Sequence, residues 1–448
     1  MRFLLLLSLV ATAAAQSGPQ VQTSHTTENL RGVSSVSRRV AWASGTHGTY
    51  LRTTDGGRTW IPGQVPDASA LDFRAVVAFS ADEAFLMSAG PGDQSRIYHT
   101  SDAGQHWQLQ FTNTNPKGFF DSMAFWDEKH GIVLGDPIPD EKGKLRFELL
   151  VTQDGQSWQT IPPSQLPEAL EGEGAFAASN SCIAILPTHS VLQSESSTPV
   201  ILSGAVAQAK REQLRSRRIP IVLTSFAVRK EILSNASDFG DAVEERLFSA
   251  ASGAEEKGPS APVADDPNIW FATGGKVARV FRSADRGKTW EVFNTPTLHG
   301  PESAGIFSIA FRDALHGVIA GGDYKHPNDD GPNLAFTEDG GKTWTLSSLH
   351  PQAYFSAVTY DRQVNAAALR QQTEEKSATG IGKKLARPVA PQRIFLVGED
   401  FIFDFRPPNN PRRINGKKKQ GFAFNAVSPF PEGGALVVGP KGTIAYIP

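Results

Sequence analysis

Five aspartates sit in nearly identical company, and a carboxylate repeated this way invites a chemical reading. The segments are Thr53-Thr-Asp-Gly-Gly-Arg-Thr-Trp60, Thr100-Ser-Asp-Ala-Gly-Gln-His-Trp107, Thr152-Gln-Asp-Gly-Gln-Ser-Trp158, Ser283-Ala-Asp-Arg-Gly-Lys-Thr-Trp290 and Thr337-Glu-Asp-Gly-Gly-Lys-Thr-Trp344. Such carboxylates could bind metal or do acid/base work. They could equally accept turn amides as an Asx-turn does, with the Ser/Thr hydroxyl in support, glycine supplying the positive φ, and the Trp opening the next strand. Catalytic groups are not normally supplied identically by every repeat. We therefore assign Asp55, Asp102, Asp154, Asp285 and Asp339, with Trp60, Trp107, Trp158, Trp290 and Trp344, to structure.

Other catalytic patterns are thin. Gly287-Lys-Thr289 and Gly341-Lys-Thr343 resemble the tail of a phosphate-binding loop, but Arg282 and Phe336 stand where its first glycine belongs. Gly172-x-Gly174 lacks the third glycine of a dinucleotide site. No H-E-x-x-H or G-x-S-x-G occurs. Sialidases also carry aspartate boxes, so a glycoside hydrolase is the enzymatic alternative. Such an enzyme needs an arginine cluster, a Tyr/Glu nucleophile pair and an acid Asp, with an Arg-Ile-Pro motif before the first box. Here Arg218-Ile-Pro220 falls after the third box, a position that suits a chance tripeptide.

The elements that must position these residues follow from the spacing. The box aspartates step by 47, 52, 131 and 54 residues, a period near 50 that fits a four-stranded propeller blade. Inner strands are expected at Phe73–Phe79, Asp121–Trp126, Ala175–Ala178, Gly305–Phe311, Tyr354–Tyr360 and Phe422–Val427. Second strands are expected at Ala84–Met87, Gly131–Leu134, Ile269–Ala272, Gly317–Ala320, Ile394–Val397 and Ala435–Val438. Counting gives an all-β, seven-bladed β-propeller over 16–448. The sixth blade carries a degenerate box region at 397–404. The seventh ends at 442–448, and its missing outer strand is expected from the chain start, around Gln20–Thr27, which leaves no open sheet edge. Two loop insertions break the period, at 186–266 in blade 4 and at 362–390 in blade 6.

In a propeller, loops feeding the inner strands crowd one mouth of the central channel. Arg31, Asp121, Glu173 and Glu302 lie there by sequence, with Asp136 and Asp323 from loops after second strands. Converging carboxylates of this kind suit a cation or a basic segment of a partner; the plain alternative is solvated charge or turn capping. His326 with Asp323 and Asp329 has metal-ligand character, yet no metal or other cofactor is expected. A third reading, a carbohydrate-binding lectin-like propeller, would use Phe120, Trp126 and Tyr324.

The box repeats, the blade pitch and the fragments Gly174-Ala-Phe-Ala-Ala-Ser-Asn180 and Glu302-Ser-Ala-Gly-Ile-Phe-Ser308 resemble secreted bacterial BNR-repeat propellers. Among these the chain is most similar to the photosystem II stability/assembly factor-like family. That resemblance covers nearly all of 16–448 apart from the insertions. It implies a non-catalytic scaffold that binds a protein partner, in assembly-factor fashion.

Composition sets the remaining bounds. Arg2, an apolar run from Phe3 to Val10 and Ala13-Ala-Ala15 form a signal-peptide pattern, with cleavage expected after Ala15 and a periplasmic or secreted product. The run is too short to span a bilayer, which needs about 20 apolar residues. Cys182 is the only cysteine, so no disulfide forms within the chain; a lone thiol of this kind is more often core filler than nucleophile. The net charge of −2 gives no general attraction to nucleic acid, and the clusters Arg215–Arg218 and Arg412–Lys419 lack interleaved aromatics. A monomer is expected.

Overall fold

The computed structural model describes residues 18–186, 267–348, 353–362, 393–399, 401–405, 412–414 and 423–448. The expected leader at 1–15 and, edge residues aside, the insertions at 186–266 and 362–390 lie outside the described residues, as does Arg218.

Seven antiparallel sheets make seven blades. Blade 1 runs Leu30–Ser35, Ala41–Gly45, Thr49–Thr53, Ile61–Gln64. Blade 2 runs Phe73–Ala78, Ala84–Ser88, Arg96–Thr100, Gln108–Thr112. Blade 3 runs Phe120–Phe125, Gly131–Pro139, Leu145–Thr152, Gln159–Thr160. Blade 4 runs Ile183–Ile185, Ile269–Ala272, Arg279–Ser283, Glu291–Asn294. Blade 5 runs Ala304–Phe311, Gly317–Asp323, Leu334–Thr337, Thr345–Leu346, and its inner edge is extended by Gly274–Gly275 and Glu173–Gly174. Blade 6 runs Phe355–Tyr360, Ile394–Gly398, Phe401–Phe405, Arg412–Arg413. Blade 7 runs Ala426–Pro429, Ala435–Gly439, Thr443–Ile447 and takes its fourth strand from Gln20–Gln22, with Val21 opposite Ala445. The first strand of every blade touches the first strand of the next, blade 7 to blade 1 included, so the ring is closed.

The core lies in the seams. Each of seven apolar clusters joins adjacent blades, as where Leu30, Ala43, Leu51 and Trp60 of blade 1 meet Leu436, Val438 and Ile444 of blade 7. Second strands are covered on both faces, and for that reason Ala84–Ser88 and Ile394–Gly398 are buried at every position rather than alternating. Hydroxyls lace the inner ring: Ser34 Oγ accepts Ala78 N–H, Ser308 Oγ accepts Val358 N–H, and Ser428 Oγ accepts Ser35 N–H.

Three expectations are corrected. The inner strand of blade 4 is Ile183–Ile185, paired with Ile269–Phe271, and not Ala175–Ala178. In the latter segment Ala175 N–H is taken by Asp136, and Phe176 leaves to stack on Phe307, so no ladder forms. The inner strand of blade 7 is Ala426–Pro429, later than Phe422–Val427. The stretch 397–404 is the hairpin joining the second and third strands of blade 6. The box position, between third and fourth strands, falls at 406–411, outside the described residues.

Candidate functional site

Each box turn divides its work between two side chains. The buried hydroxyl at the first position accepts a buried amide: Thr53 from Gly57, Thr100 from Gly104, Thr152 from Gly155, Ser283 from Gly287 and Thr337 from Gly341, at 2.8–3.0 Å. The carboxylate takes exposed amides: Asp55 from Thr59, Asp102 from His106, Asp154 from Ser157, Asp285 from Thr289 and Asp339 from Thr343, at 2.8–2.9 Å. These amides hold Asp55, Asp102 and Asp154 below their usual range, and for Asp285 and Asp339, against burial, the Thr289 and Thr343 hydroxyls with their amides do so; the His106 amide, then its ring, draws Asp102 down to about 2. Gly341, at φ +89°, sits where L side chains are strained.

The boxes are also sockets for the preceding blade. Gln22 donates to Gly56 O while accepting Trp60 Nε1–H, and Gln110 does the same for Gly155 O and Trp158. Tyr50 donates to Gly104 O and Trp270 to Gly340 O. Trp344 and Trp290 turn back on their own loops, at Gly341 O and Gly287 O, and Trp107 packs on Trp42 and Tyr50.

The channel mouth is built differently. In blades 1, 2, 3, 5 and 6 the first strand carries a one-residue register break against the second. The skipped residues are Arg31, Arg74, Asp121, Phe307 and Ser356. A bulge bends the strand and re-aims its extra side chain, so equivalent positions of five blades converge on one rim. Sequence reasoning found Arg31 and Asp121 but missed Arg74 and Phe307. The shared pattern of apolar, variable, small, apolar (Leu30-Arg-Gly-Val33, Phe73-Arg-Ala-Val76, Phe120-Asp-Ser-Met123, Ile306-Phe-Ser-Ile309) was the available signal.

Arg74 Nε lies 2.8 Å from Asp72 Oδ2 and Arg31 Nε lies 3.9 Å from the same oxygen, so two guanidiniums share one carboxylate. Each of the three side chains is about a quarter exposed. Arg31 Nε makes no hydrogen bond among the described residues. Burial, followed by Arg74, depresses the Arg31 pKa, against the opposing pull of Asp72. Arg74 also donates to Ala177 O at 3.2 Å, with its guanidinium 6.0 Å from the Phe119 ring centre.

Behind the arginines stand acids. Asp121 is 1% exposed and its Oδ2 makes no hydrogen bond among the described residues. Burial first, and Asp136 second, push its pKa well up. Burial also lifts Asp136 to about 6, against the Ala175 N–H, which donates to it at 3.1 Å. Glu148, raised by burial, is held by Asn113 Nδ2 at 2.8 Å.

Beside the arginines lies an aromatic arc. Phe176 stacks on Phe307 at 3.8 Å and 14°, and Phe307 meets Tyr354 edge-on at 4.8 Å and Tyr324 at 6.1 Å. Gly274 and Gly305 make room for this: a Cβ on Gly274 would stand 2.3 Å from the Phe176 ring. Burial raises the Tyr354 phenol, with Arg31 opposing.

The other sequence candidates are placed as follows. Glu173 is buried and committed to Arg279 and to Thr273 Oγ1. Glu302 is exposed. Asp323 is buried, with His326 Nδ1 at 2.8 Å and the Lys325 N–H donating to it. No group of three His, Cys, Asp or Glu suited to a metal ion occurs among the described residues. Of the three aromatics of the lectin reading, Phe120 and Trp126 are core residues and only Tyr324 is exposed. Cys182 is fully buried, its thiol pushed up by that burial.

Comparison with known proteins agrees with this architecture. The family model described as Photosynthesis system II assembly factor YCF48 matches residues 11–118. The photosystem II stability/assembly factor HCF136, chloroplastic, of Oryza sativa subsp. japonica is 37% identical over 67 residues, a match spanning 14% of this chain and 15% of that relative. Among solved structures, YCF48 bound to D1 peptide superposes with a TM-score of 0.54 at 14% identity, covering 97% of this chain and 99% of that one. The U3-55K structure gives 0.51 at 8% identity, covering 96% and 98%. At such identities the structural likeness speaks for the fold alone. The chain is a BNR-repeat β-propeller that resembles the photosystem II stability/assembly factor-like family.

Proposed function

We propose that this protein is an exported, non-catalytic scaffold that binds a segment of a protein partner at the channel mouth. The observation that carries the reading is the bulge ring, which brings Arg31 and Arg74 to one rim with a single carboxylate between them. Asp121, Glu173 and Asp323 are buried, and Asp72 is shared by two guanidiniums, so the Arg31–Asp72–Arg74 group carries a net positive charge. A segment carrying carboxylates beside an apolar or aromatic side chain suits the arginine pair and the exposed parts of Phe176 and Tyr324, which pack around the buried Phe307. The sequence and structural likeness to assembly factors, one of them bound to a peptide, supports the same reading.

The test is fluorescence anisotropy with labelled peptides of matched length, acidic-aromatic against basic. The acidic set should bind more tightly, weaken as salt rises past about 0.1 M, and lose roughly tenfold in affinity on Arg31→Gln with an unchanged melting curve. Preference for basic peptides would overturn the assignment. So would turnover of an aryl glycoside that disappears in the same variant, which would favour a hydrolase.

A further inference from the structure

The face opposite the mouth holds a second charged site. Its residues come from the blade 1 hairpin joining the first and second strands, the first box, and the adjoining edge of blade 7. A cleft of about 450 Å³ is lined there by Arg38, Arg39, Asp55, Gly56 and Arg58. Beside it a second cleft of about 330 Å³ shares Arg38, Gly56 and Arg58 and reaches Tyr446.

The repeat supplies its own comparison. At the same hairpin, blade 2 carries Asp82 and Glu83, blade 3 carries Asp127 and blade 5 carries Asp313. Asp127 and Asp313 serve the fold, each accepting two amides of its own turn. In blade 1 Ser37 Oγ performs that service for Arg39 and Val40, so the hairpin arginines are not needed to close the turn. Arg38 is nonetheless fixed in place, donating to Tyr446 Oη, Glu432 O and Gly433 O at 3.1–3.2 Å. Arg39 and Arg58 are exposed and have no ion pair among the described residues. Asp55 shares the cleft, with Thr53 Oγ1–H and Thr59 N–H both donating to its Oδ1, so three guanidiniums stand against one carboxylate. Two guanidiniums without an ion pair and a third braced against blade 7 thus line one cleft with Asp55 and Gly56.

We propose that this cleft binds a phosphate group, with Arg39 and Arg58 gripping its oxygens and Arg38 setting the field behind them. Guanidinium forks match phosphate geometry, and the cleft is wide enough for a phosphate ester with part of the group it carries. The same chemistry is offered by a soluble phosphate ester and by a phospholipid headgroup.

The experiment uses the full chain and a double variant, Arg39→Ser with Arg58→Ser. Both side chains are exposed, and the variant is admitted only if its melting curve matches the parent. One arm titrates glycerol 3-phosphate by calorimetry. The other measures sedimentation with vesicles of phosphatidylglycerol in phosphatidylcholine, against phosphatidylcholine alone. We expect binding in at least one arm, reduced about tenfold or more by the double variant. Binding in the soluble arm identifies a free ester, and binding to phosphatidylglycerol vesicles only identifies a headgroup. No binding in either arm, or binding the double variant leaves intact, overturns the proposal. Arg31→Gln serves as a control that should leave this binding unchanged.

Discussion

At the scale of single residues, two classes of aspartate act in opposite directions as pH changes. Box carboxylates are stabilised as anions by amides, so their contribution is present above the unfolded carboxyl range and lost as acid protonates them. Asp136 is the reverse. Its folded pKa of about 6 lies above the ordinary 3.8, so the folded state holds the proton more tightly. Its contribution is fully present below about pH 4 and fades as pH rises toward 6, leaving a buried anion above that. Asp136→Asn keeps an acceptor for Ala175 N–H without the charge. It should raise stability by about 2 kcal/mol at pH 8 and by almost nothing at pH 3.5, read from urea denaturation at both values. An equal gain at the two pH values would mean that the Asp136 charge is not the cause. The turn chemistry was legible in the sequence. The buried share of it, carried by the hydroxyls of Thr53 and Thr337 rather than by the carboxylates, was not, because burial depends on the neighbouring blade.

At the scale of elements, period and motif located most strands, and the errors share a cause. Ile183–Ile185 is short and its partner Ile269–Phe271 is remote in sequence, so local pattern favoured the apolar residues at 175–178. The bulges were hidden for a related reason, since a register break is a property of two strands and cannot be read from one. Pairing also bears on the insertion. Ile185 lies directly opposite Ile269 in an antiparallel ladder, so residues 186 and 268 leave the blade side by side, as the ends of any hairpin do. Replacing 187–266 with a four-residue Gly/Asn-rich turn should leave a soluble protein with the parent's near-ultraviolet circular dichroism and a melting temperature within a few degrees. An aggregated product would show that the segment contributes to the propeller's own packing.

At the scale of the whole molecule, stability rests on closure. Blade 7 is completed by three ladder pairs from the chain's beginning, and Gln22 then reaches across the seam to fasten the first box. Removing residues 16–24 opens this seam, exposes the edge of Thr443–Ile447 and leaves Trp60 Nε1 without its acceptor. The expected cost is roughly 2–4 kcal/mol in urea denaturation, with new protease sensitivity near the end of the chain. Unchanged stability would place the clasp elsewhere.

The same clasp imposes an order in time. A ribosome makes Gln20–Gln22 long before their partner strand Thr443–Ile447. If the chain is exported as proposed, amino end first, Gln20–Gln22 reach their destination long before anything exists for them to pair with. Throughout that interval Gln20–Gln22 have no ladder partner, the condition that invites pairing between chains. Aggregation should therefore be decided during synthesis and transport, and a stalled or truncated chain should be more hazardous to the cell than an unfolded complete one.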